Sequence, residues 1–261
     1  MSMRAKVTDR RAGARIRVAY GTKTIPDLGE VDLVGLCNVR LSAGHATVLL
    51  PGERGHYHRA TTEDYIFMAD SSPATLELNG QQHSVERGAV AVIPPGVVHN
   101  LLADRGGDVE FLVVTTPKYR PEDSFDVFEG EADPKLPTAF GRVVEPSSEP
   151  VTSNTISIID DPVRTPCRGS ELTRVTIPAH GQFPTRCHDE RQVVLAIFAG
   201  TGTLTLDGVD FGVSEGSIVA IPPRVSHTVA AGQRGLTFLL ISGVPCVPAA
   251  PSHSITKGGI V

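Results

Sequence analysis

The segment Gly88-Ala-Val-Ala-Val-Ile-Pro-Pro95 recurs as Gly216-Ser-Ile-Val-Ala-Ile-Pro-Pro223, at an offset of 128 residues. Two further landmarks recur at the same offset, namely Thr75-Leu-Glu-Leu-Asn-Gly80 as Thr203-Leu-Thr-Leu-Asp-Gly208 and His99 as His227. A constant spacing between separate landmarks indicates that one structural unit occurs twice in the chain.

Each copy of this unit has the sequence pattern of short strands. Apolar and β-branched residues are grouped into segments that are separated by Gly and Pro turn signals. In the first copy the predicted strands cover residues 31–41, 46–50, 63–69, 76–78, 88–93 and 109–115. No long stretch follows the 3.6-residue period of a helix. The sequence therefore predicts an all-β protein built from antiparallel sandwiches or barrels.

The repeat also predicts the domain organisation. We expect an N-terminal barrel over residues 1–116, a connector over 117–150, a C-terminal barrel over 151–246 and a tail over 247–261. The connector is dense in Pro, Asp and Glu, so it has little apolar surface to bury and is interpreted as running over the surface. A lid over one barrel mouth is the alternative.

The composition is that of an ordinary globular protein, with 40% apolar and 20% charged residues among 261. A formal net charge of −5 gives no electrostatic reason to expect nucleic acid or an anionic membrane as a partner. We find neither a signal-peptide pattern nor an apolar run that could span a bilayer, which favours a cytoplasmic protein. Four cysteines lack metal-type or disulfide-type spacing and are interpreted as free thiols: Cys37, Cys167, Cys187 and Cys246.

Potential metal ligands are concentrated in Gly55-His56-Tyr-His58-Arg-Ala-Thr-Thr-Glu63. Residues two apart on a strand project from the same face, so His56 and His58 can approach one point. The four residues before Glu63 suffice to turn a corner into an adjacent strand, from which Glu63 could point back. His99 follows a strand and a tight turn, and could become the fourth ligand.

These residues resemble the cupin superfamily. Its first motif is His-x-His, three or four residues, then Glu, and its second is Gly-(x5)-Pro-x-Gly-x-x-His. The matching positions here are His56, His58, Glu63, Gly88, Pro94, Gly96 and His99. Asp70 stands where the family has a glycine, a departure that affects a turn and not a ligand. The resemblance implies tandem jelly-roll barrels, also described as double-stranded β-helices, with one metal ion held by His56, His58, Glu63 and His99.

Three imidazoles and a carboxylate leave coordination positions open, which favours catalysis over a structural site. One divalent ion per chain is predicted, with Fe(II) favoured and Mn, Co, Ni or Zn as alternatives. The resemblance implies an enzyme acting on a small oxygen-rich molecule, either a dioxygenase, which we favour, or a non-redox isomerase, cyclase, dehydratase or decarboxylase. In the dioxygenase, Glu63 is the candidate for proton transfer, and in the non-redox reactions a side chain moves a proton while the metal polarises the substrate. A non-catalytic small-molecule-binding protein is the third interpretation.

The second copy differs at the ligand positions. Sequence alignment sets Arg186 opposite His56, His188 opposite His58, Val193 opposite Glu63 and His227 opposite His99. Two imidazoles beside a guanidinium make a poor cation site, so the second barrel is predicted to be metal-free. We interpret Arg186, His188 and His227 as an anion site or, alternatively, as a relic that serves only packing. Cys187 should point out of this barrel.

Two weaker predictions concern the pocket and the assembly. Tyr65 and Phe67 share the strand parity of Glu63 and are expected to line the same cavity, either as packing or as substrate contacts. Resemblance to cupins, together with the need to cover exposed strand edges, favours a homodimer.

Overall fold

The computed structural model describes residues 5–10, 12–18, 21–27, 35–41, 57–60, 63–68, 74–78, 80–93, 97, 99–103, 108–116, 124–127, 142–144, 154–157 and 171–243. These parts of the chain form 20 strands and no helix. The all-β prediction is therefore confirmed. Since the described residues include no helix at all, none of them offers a helix that could cross a membrane. His56, Asp70 and the predicted strand at 46–50 lie outside the described residues.

The first eleven strands precede the connector. They are β1 (Lys6–Asp9), β2 (Gly13–Val18), β3 (Gly21–Pro26), β4 (Gly35–Leu41), β5 (Tyr57–Ala60), β6 (Glu63–Met68), β7 (Ala74–Leu78), β8 (Gln81–Val85), β9 (Val90–Ile93), β10 (His99–Ala103) and β11 (Val109–Thr116). The others are β12 (Ser124–Val127), β13 (Arg142–Val144), β14 (Asn154–Ser157), β15 (Glu171–Ile177), β16 (Gln182–Arg186), β17 (Gln192–Leu206), β18 (Val209–Ser214), β19 (Ser217–Ile221) and β20 (His227–Gly243).

The strands form three sheets with antiparallel pairing. In the first repeat a five-stranded sheet has the order β12-β5-β10-β7-β8, and a seven-stranded sheet has the order β13-β9-β6-β11-β4-β3-β2. The second repeat is one continuous sheet ordered β1-β19-β17-β20-β15-β14, with β16 on β20 and β18 on β17. Non-sequential neighbours such as β10 and β5 are the jelly-roll connections expected of this fold.

Two long strands explain why the second repeat is a single sheet. Each of these strands corresponds to two strands of the first repeat. β17 corresponds to β6 and β7, and β20 corresponds to β10 and β11. β17 bends at register shifts between Ile197 and Ala199 and between Gly200 and Gly202. At Gly200 φ is +87°, and a Cβ atom would lie 2.0 Å from the carbonyl oxygen of Gly235. Only glycine fits this corner.

Each repeat encloses its own apolar core. In the first, the buried cluster includes Leu76, Ile93 and Phe111. In the second it includes Leu195 and Phe238, and the Phe238 ring meets that of Phe183 edge-on at 5.7 Å between centroids. Burial of these side chains is the main stabilising contribution to each barrel.

Strand pairing extends both repeats beyond their predicted limits. β1, at the start of the chain, pairs with β19 of the second repeat, with Lys6 opposite Ala220. β13, inside the predicted connector, pairs with β9 of the first repeat, with Arg142 opposite Val92. β12, also from the connector, pairs with β5. The predicted domain limits stay predictions, but these strands tie each repeat to sequence outside its own limits.

The outer faces of the barrels are apolar where the repeats meet. On β11, Phe111 belongs to the first core, whereas the adjacent Leu112 projects from the other face and is 1% exposed. Val194 and Leu239 are buried on the corresponding outer face of the second repeat. These residues are buried outside the two core clusters, and polar contacts cross between the repeats.

One of these polar contacts involves Arg10, whose side chain is 3% exposed. Its Nη2 lies 3.0 Å from Oε1 of Glu110 in the first repeat and 3.9 Å from Oε1 of Glu215 in the second. Arg174 of the second repeat donates from Nη1 to the carbonyl of Gly88 in the first, at 2.6 Å. The two barrels are thus joined by ionic and hydrogen-bonding contacts as well as by apolar packing.

Candidate metal centre

Two of the predicted ligands lie on neighbouring strands. β5 and β10 are antiparallel, and the residue opposite His99 is His58. Directly opposed residues of an antiparallel pair project to the same face, with Cβ atoms about 4.5–5.5 Å apart. The backbone therefore brings these two positions as close as two ligands of one ion require.

His99 faces the interior of the first barrel. Its neighbours two and four residues along β10 are Leu101 and Ala103, which belong to or pack against the first core. Strand alternation gives His99 the same direction, and its side chain is 2% exposed. A nearly fully buried histidine among leucines is suited to binding a ligand inside the barrel.

A hydrogen bond fixes the ring of His99. Nδ1 lies 3.0 Å from the carbonyl oxygen of Val97. A carbonyl only accepts, so Nδ1 carries the proton and donates it, and the lone pair is on Nε2. Metal-bound histidines are oriented in this way, by donation from the nitrogen that does not bind the ion.

Glu63 begins β6 in the facing sheet. It lies opposite Thr116 of β11, and the next residue, Asp64, lies opposite Ile93 of β9. β5 and β6 belong to different sheets, although an adjacent strand was predicted. Glu63 shares the strand parity of Tyr65, and its partner Thr116 shares that of Val114 and Leu112, which lie outside the core cluster. The register therefore gives the predicted ligand role of Glu63 no support, and that role stays a prediction.

The convergence of all four predicted ligands stays a prediction. Among the residues that the structure describes, no three His, Cys, Asp or Glu side chains form a group that could hold a metal ion. Of the predicted set, the side chain of His99 is described, His58 and Glu63 are described as backbone positions, and His56 lies outside the described parts.

The pocket role of Tyr65 and Phe67 also stays a prediction. Tyr65 lies opposite Val114, and Phe67 lies opposite Leu112. Neither Val114 nor Leu112 belongs to the core cluster of the first barrel, whereas Phe111 does. The register gives the pocket prediction no support.

His227 reproduces the environment of His99 in the second repeat. It lies opposite Leu206 of β17, as His99 lies opposite Leu78 of β7. Its side chain is 1% exposed, and its Nδ1 donates to the carbonyl of Val225 at 3.2 Å. The lone pair is again on Nε2, which is buried and has no hydrogen-bond partner among the described residues.

The pairing of β16 with β20 corrects the sequence alignment of the two repeats at Arg186. Arg186 lies opposite His227, and so takes the place that His58 has opposite His99. Sequence alignment had set His188 at that place. A register shift between Phe183 and Arg186 accounts for the difference.

A second correction concerns Val193. Gln192 begins β17 opposite Gly243, as Glu63 begins β6 opposite Thr116. Val193 lies opposite Ile221, as Asp64 lies opposite Ile93, so it corresponds to Asp64. Five residues separate Arg186 from Gln192, against four between His58 and Glu63, so this segment is one residue longer in the second repeat. The position of Glu63 is therefore occupied by an amide, which still lacks the charge of a carboxylate.

The structure brings Arg186, His188 and His227 together. The rings of His188 and His227 have centroids 5.8 Å apart at an interplanar angle of 40°. The guanidinium carbon of Arg186 lies 5.1 Å from the centroid of the Phe183 ring, a cation–π geometry. Cys187, one residue past the end of β16, is an exposed free thiol, so its predicted outward direction does not rest on strand alternation.

Electrostatics keep His227 neutral. Burial lowers the pKa of His227 below 6.5, its hydrogen bond with Val225 raises the pKa in part, and the positive charges of His188 and Arg186 lower it further. At neutral pH, Nε2 of His227 is therefore a hydrogen-bond acceptor.

Comparison with known proteins extends the sequence resemblance. Residues 173–242 match the family profile of the cupin domain. No protein of curated function matches the chain significantly in sequence.

Three solved structures illustrate the similarity in fold. Salicylate 1,2-dioxygenase from Pseudoaminobacter salicylatoxidans, with bound gentisate, has a TM-score of 0.61 and 14% identity, covering 84% of this chain and 72% of its own. An oxalate decarboxylase has a TM-score of 0.66 and 14% identity, and the match covers 92% of this chain and 77% of the decarboxylase. A glyoxylate-induced protein from Pseudomonas aeruginosa has a TM-score of 0.66 and 16% identity, and the match covers 94% of this chain and 91% of that protein. At these identities the likeness is one of fold.

Proposed function

Because this chain has the two-barrel cupin fold, we propose that it is a metal-dependent enzyme acting on a small oxygen-rich organic molecule, with one centre in the first repeat. The observation that carries the proposal is the register of His58 opposite His99, with His99 buried and its Nδ1 donating to Val97. Opposed imidazole positions inside an apolar barrel are suited to binding a divalent ion.

Of the four predicted ligands, His99 is the one whose side chain the structure describes. It is buried, and donation from its Nδ1 to the carbonyl of Val97 is the arrangement that metal-bound histidines have. His56, His58 and Glu63 would complete the ligand set. A divalent ion held there supplies Lewis-acid polarisation of a bound oxygen and, as Fe(II), electron transfer to dioxygen.

The protein's own contribution is orientation, exclusion of water and proton transfer. Leu76, Leu78 and Leu101 surround His99 with apolar surface, which strengthens electrostatic interactions inside the barrel. The carbonyl of Val97 holds the His99 ring in one tautomer. We assign proton transfer to or from the substrate to Glu63, at the start of β6.

Within this class we favour a dioxygenase. The support is the fold shared with a salicylate 1,2-dioxygenase that binds gentisate, over 84% of this chain. Fe(II) is the ion that this reaction would use, and adjacent oxygen donors on the substrate would occupy its open positions.

A non-redox reaction is the second candidate. The oxalate decarboxylase covers 92% of this chain with a higher TM-score than the dioxygenase. In that case Mn, Co, Ni or Zn serves in place of iron, and Glu63 alone moves the proton while a carbonyl or carboxylate is polarised.

Oxygen consumption separates these candidates. The purified protein is stripped of metal, reloaded with Fe(II), Mn(II), Co(II), Ni(II) or Zn(II) in turn, and supplied with gentisate, salicylate or oxalate under air and under argon. Oxygen uptake with Fe(II) supports the dioxygenase, and turnover under argon supports the non-redox enzyme. Binding of these acids without turnover under any metal supports the non-catalytic interpretation and contradicts both enzyme proposals.

Two further predictions accompany this proposal without support from the structure. The cytoplasmic location stays a prediction, as does the homodimer, for which light scattering of the purified chain is the direct measurement.

A further inference from the structure

We propose that the second repeat carries a separate binding site, formed by Arg186, His188 and His227, for a small carboxylate with a hydroxyl or N–H donor next to the carboxylate. The site is independent of the metal centre proposed for the first repeat. It lies at the corresponding place in the second barrel, since Arg186 is opposite His227 as His58 is opposite His99.

The first argument is the buried acceptor on His227. Its Nε2 is inaccessible to solvent and has no hydrogen-bond partner in the described part of the chain. A buried polar atom without a partner is costly, and native proteins seldom leave one unless a ligand or water completes it. Because Nδ1 donates to Val225 and the ring is neutral, Nε2 can only accept. The ligand must therefore bring a donor.

The second argument is the guanidinium of Arg186. This residue forms no ion pair with an acidic side chain of the described residues, and its guanidinium lies against the Phe183 ring. This cation–π contact restricts the position of the guanidinium. A guanidinium presents paired N–H donors that match the two oxygens of a carboxylate.

The register places Arg186 and His227 opposite each other on neighbouring strands. A small ligand that meets both residues therefore carries its carboxylate and its donor close together, as in a 2-hydroxy acid or a 2-amido acid. The His188 ring, 5.8 Å from that of His227, closes one side of the site.

A metal ion is a poor occupant of this site. The position of Glu63 is taken by neutral Gln192, and the position of His58 by a cation. A guanidinium beside a divalent ion is repulsive, and two imidazoles do not offset this. The charges therefore favour an anionic organic ligand.

The test uses glycolate, with acetate as the matched probe that lacks the hydroxyl. Calorimetric titration of the full-length, metal-loaded protein should show glycolate binding more tightly than acetate by about 5-fold or more, the value of one hydrogen bond to a buried acceptor. Arg186→Gln should weaken both ligands by about 10-fold or more. Arg234→Gln, at an exposed arginine of the same repeat, should change neither.

His227→Phe isolates the acceptor. It should reduce glycolate affinity to that of acetate and leave acetate affinity within about 2-fold. Since a buried change can unfold the barrel, circular dichroism accompanies each variant. Arg186→Gln, at an exposed side chain, keeps the test valid if His227→Phe does not fold.

A binding measurement in His99→Gln distinguishes the two sites. Glycolate binding that persists in this variant and is lost in Arg186→Gln supports the proposal, whatever the metal content or oxygen uptake. Binding lost in His99→Gln but unchanged in Arg186→Gln would assign the ligand to the first repeat and overturn the proposal. Equal affinity for glycolate and acetate, or no binding of either, also overturns it.

Discussion

His58 lies directly opposite His99 on neighbouring antiparallel strands, and this pair occupies the same place in its ladder as Arg186 and His227 in the second repeat. One duplicated backbone therefore presents two different pairs of side chains. The first pair offers two imidazoles, which favour a metal ion, and the second offers a guanidinium and an imidazole, which favour a carboxylate. The divergence of the two repeats is chemical, while their geometry is retained.

Metal content should depend on His99 and not on His227. Replacing His99 by Gln removes one of four predicted ligands, and we expect metal affinity to fall by at least about 100-fold, with loss of turnover. His227→Gln is the matched control, because His227 has the same burial and the same backbone hydrogen bond in the other repeat. Elemental analysis should give about one ion per chain for the wild type and this control. Two ions per wild-type chain would contradict a metal-free second barrel.

The residues that sequence reasoning located correctly are those fixed by local patterns. The strand predicted over residues 88–93 is present as β9, and the strand predicted from Glu63 is present as β6. Runs of apolar residues bounded by turn signals suffice to predict both. These features depend on neighbours in sequence.

What the sequence could not predict depends on distant segments. The pairing of β1 with β19 joins residues about two hundred positions apart, and no local pattern encodes it. The misplacement of Val193 arose because sequence alignment could not reveal that the segment between Arg186 and Gln192 is one residue longer than that between His58 and Glu63. The partner of Glu110 was equally hidden, since Arg10 reaches it only after β1 has joined the second repeat.

Gly200→Ala should be strongly destabilising. The left-handed φ of +87° and a Cβ position 2.0 Å from the Gly235 carbonyl oxygen together require the backbone to move. We expect a loss of about 3 kcal/mol or more in the free energy of unfolding. Gly212→Ala is the matched control, because no heavy atom lies within 4 Å of its added Cβ. Urea unfolding of both variants measures the difference, and equal midpoints would show that β17 does not bend as described.

Arg10→Met should weaken the association of the two repeats. The variant retains much of the apolar stem but leaves Glu110, whose side chain is 16% exposed, without its ion-pair partner at 3.0 Å. Breaking a buried ion pair on one side costs about 3 kcal/mol. Arg15→Met, at an exposed position of β2, should change stability by less than about 0.5 kcal/mol. Thermal unfolding checks both, and a variant Arg10→Met as stable as Arg15→Met would contradict a role for this contact.

Stability should fall on acidification because of His227. Burial lowers the pKa of His227 in the folded protein, so below pH 6.5 the unfolded chain binds a proton at this histidine before the folded chain does. The free energy of unfolding then decreases as the pH falls through the window below 6.5, by at most about 1.4 kcal/mol per pH unit for one proton. In His227→Gln this contribution is absent, so the pH dependence in that window should become shallower. Both proteins share the metal centre proposed for the first repeat, so acid release of an ion held there is common to the two curves and cancels in their difference. Urea unfolding between pH 5 and pH 7.5 gives the two slopes, and parallel curves would mean that His227 is not held neutral by its surroundings.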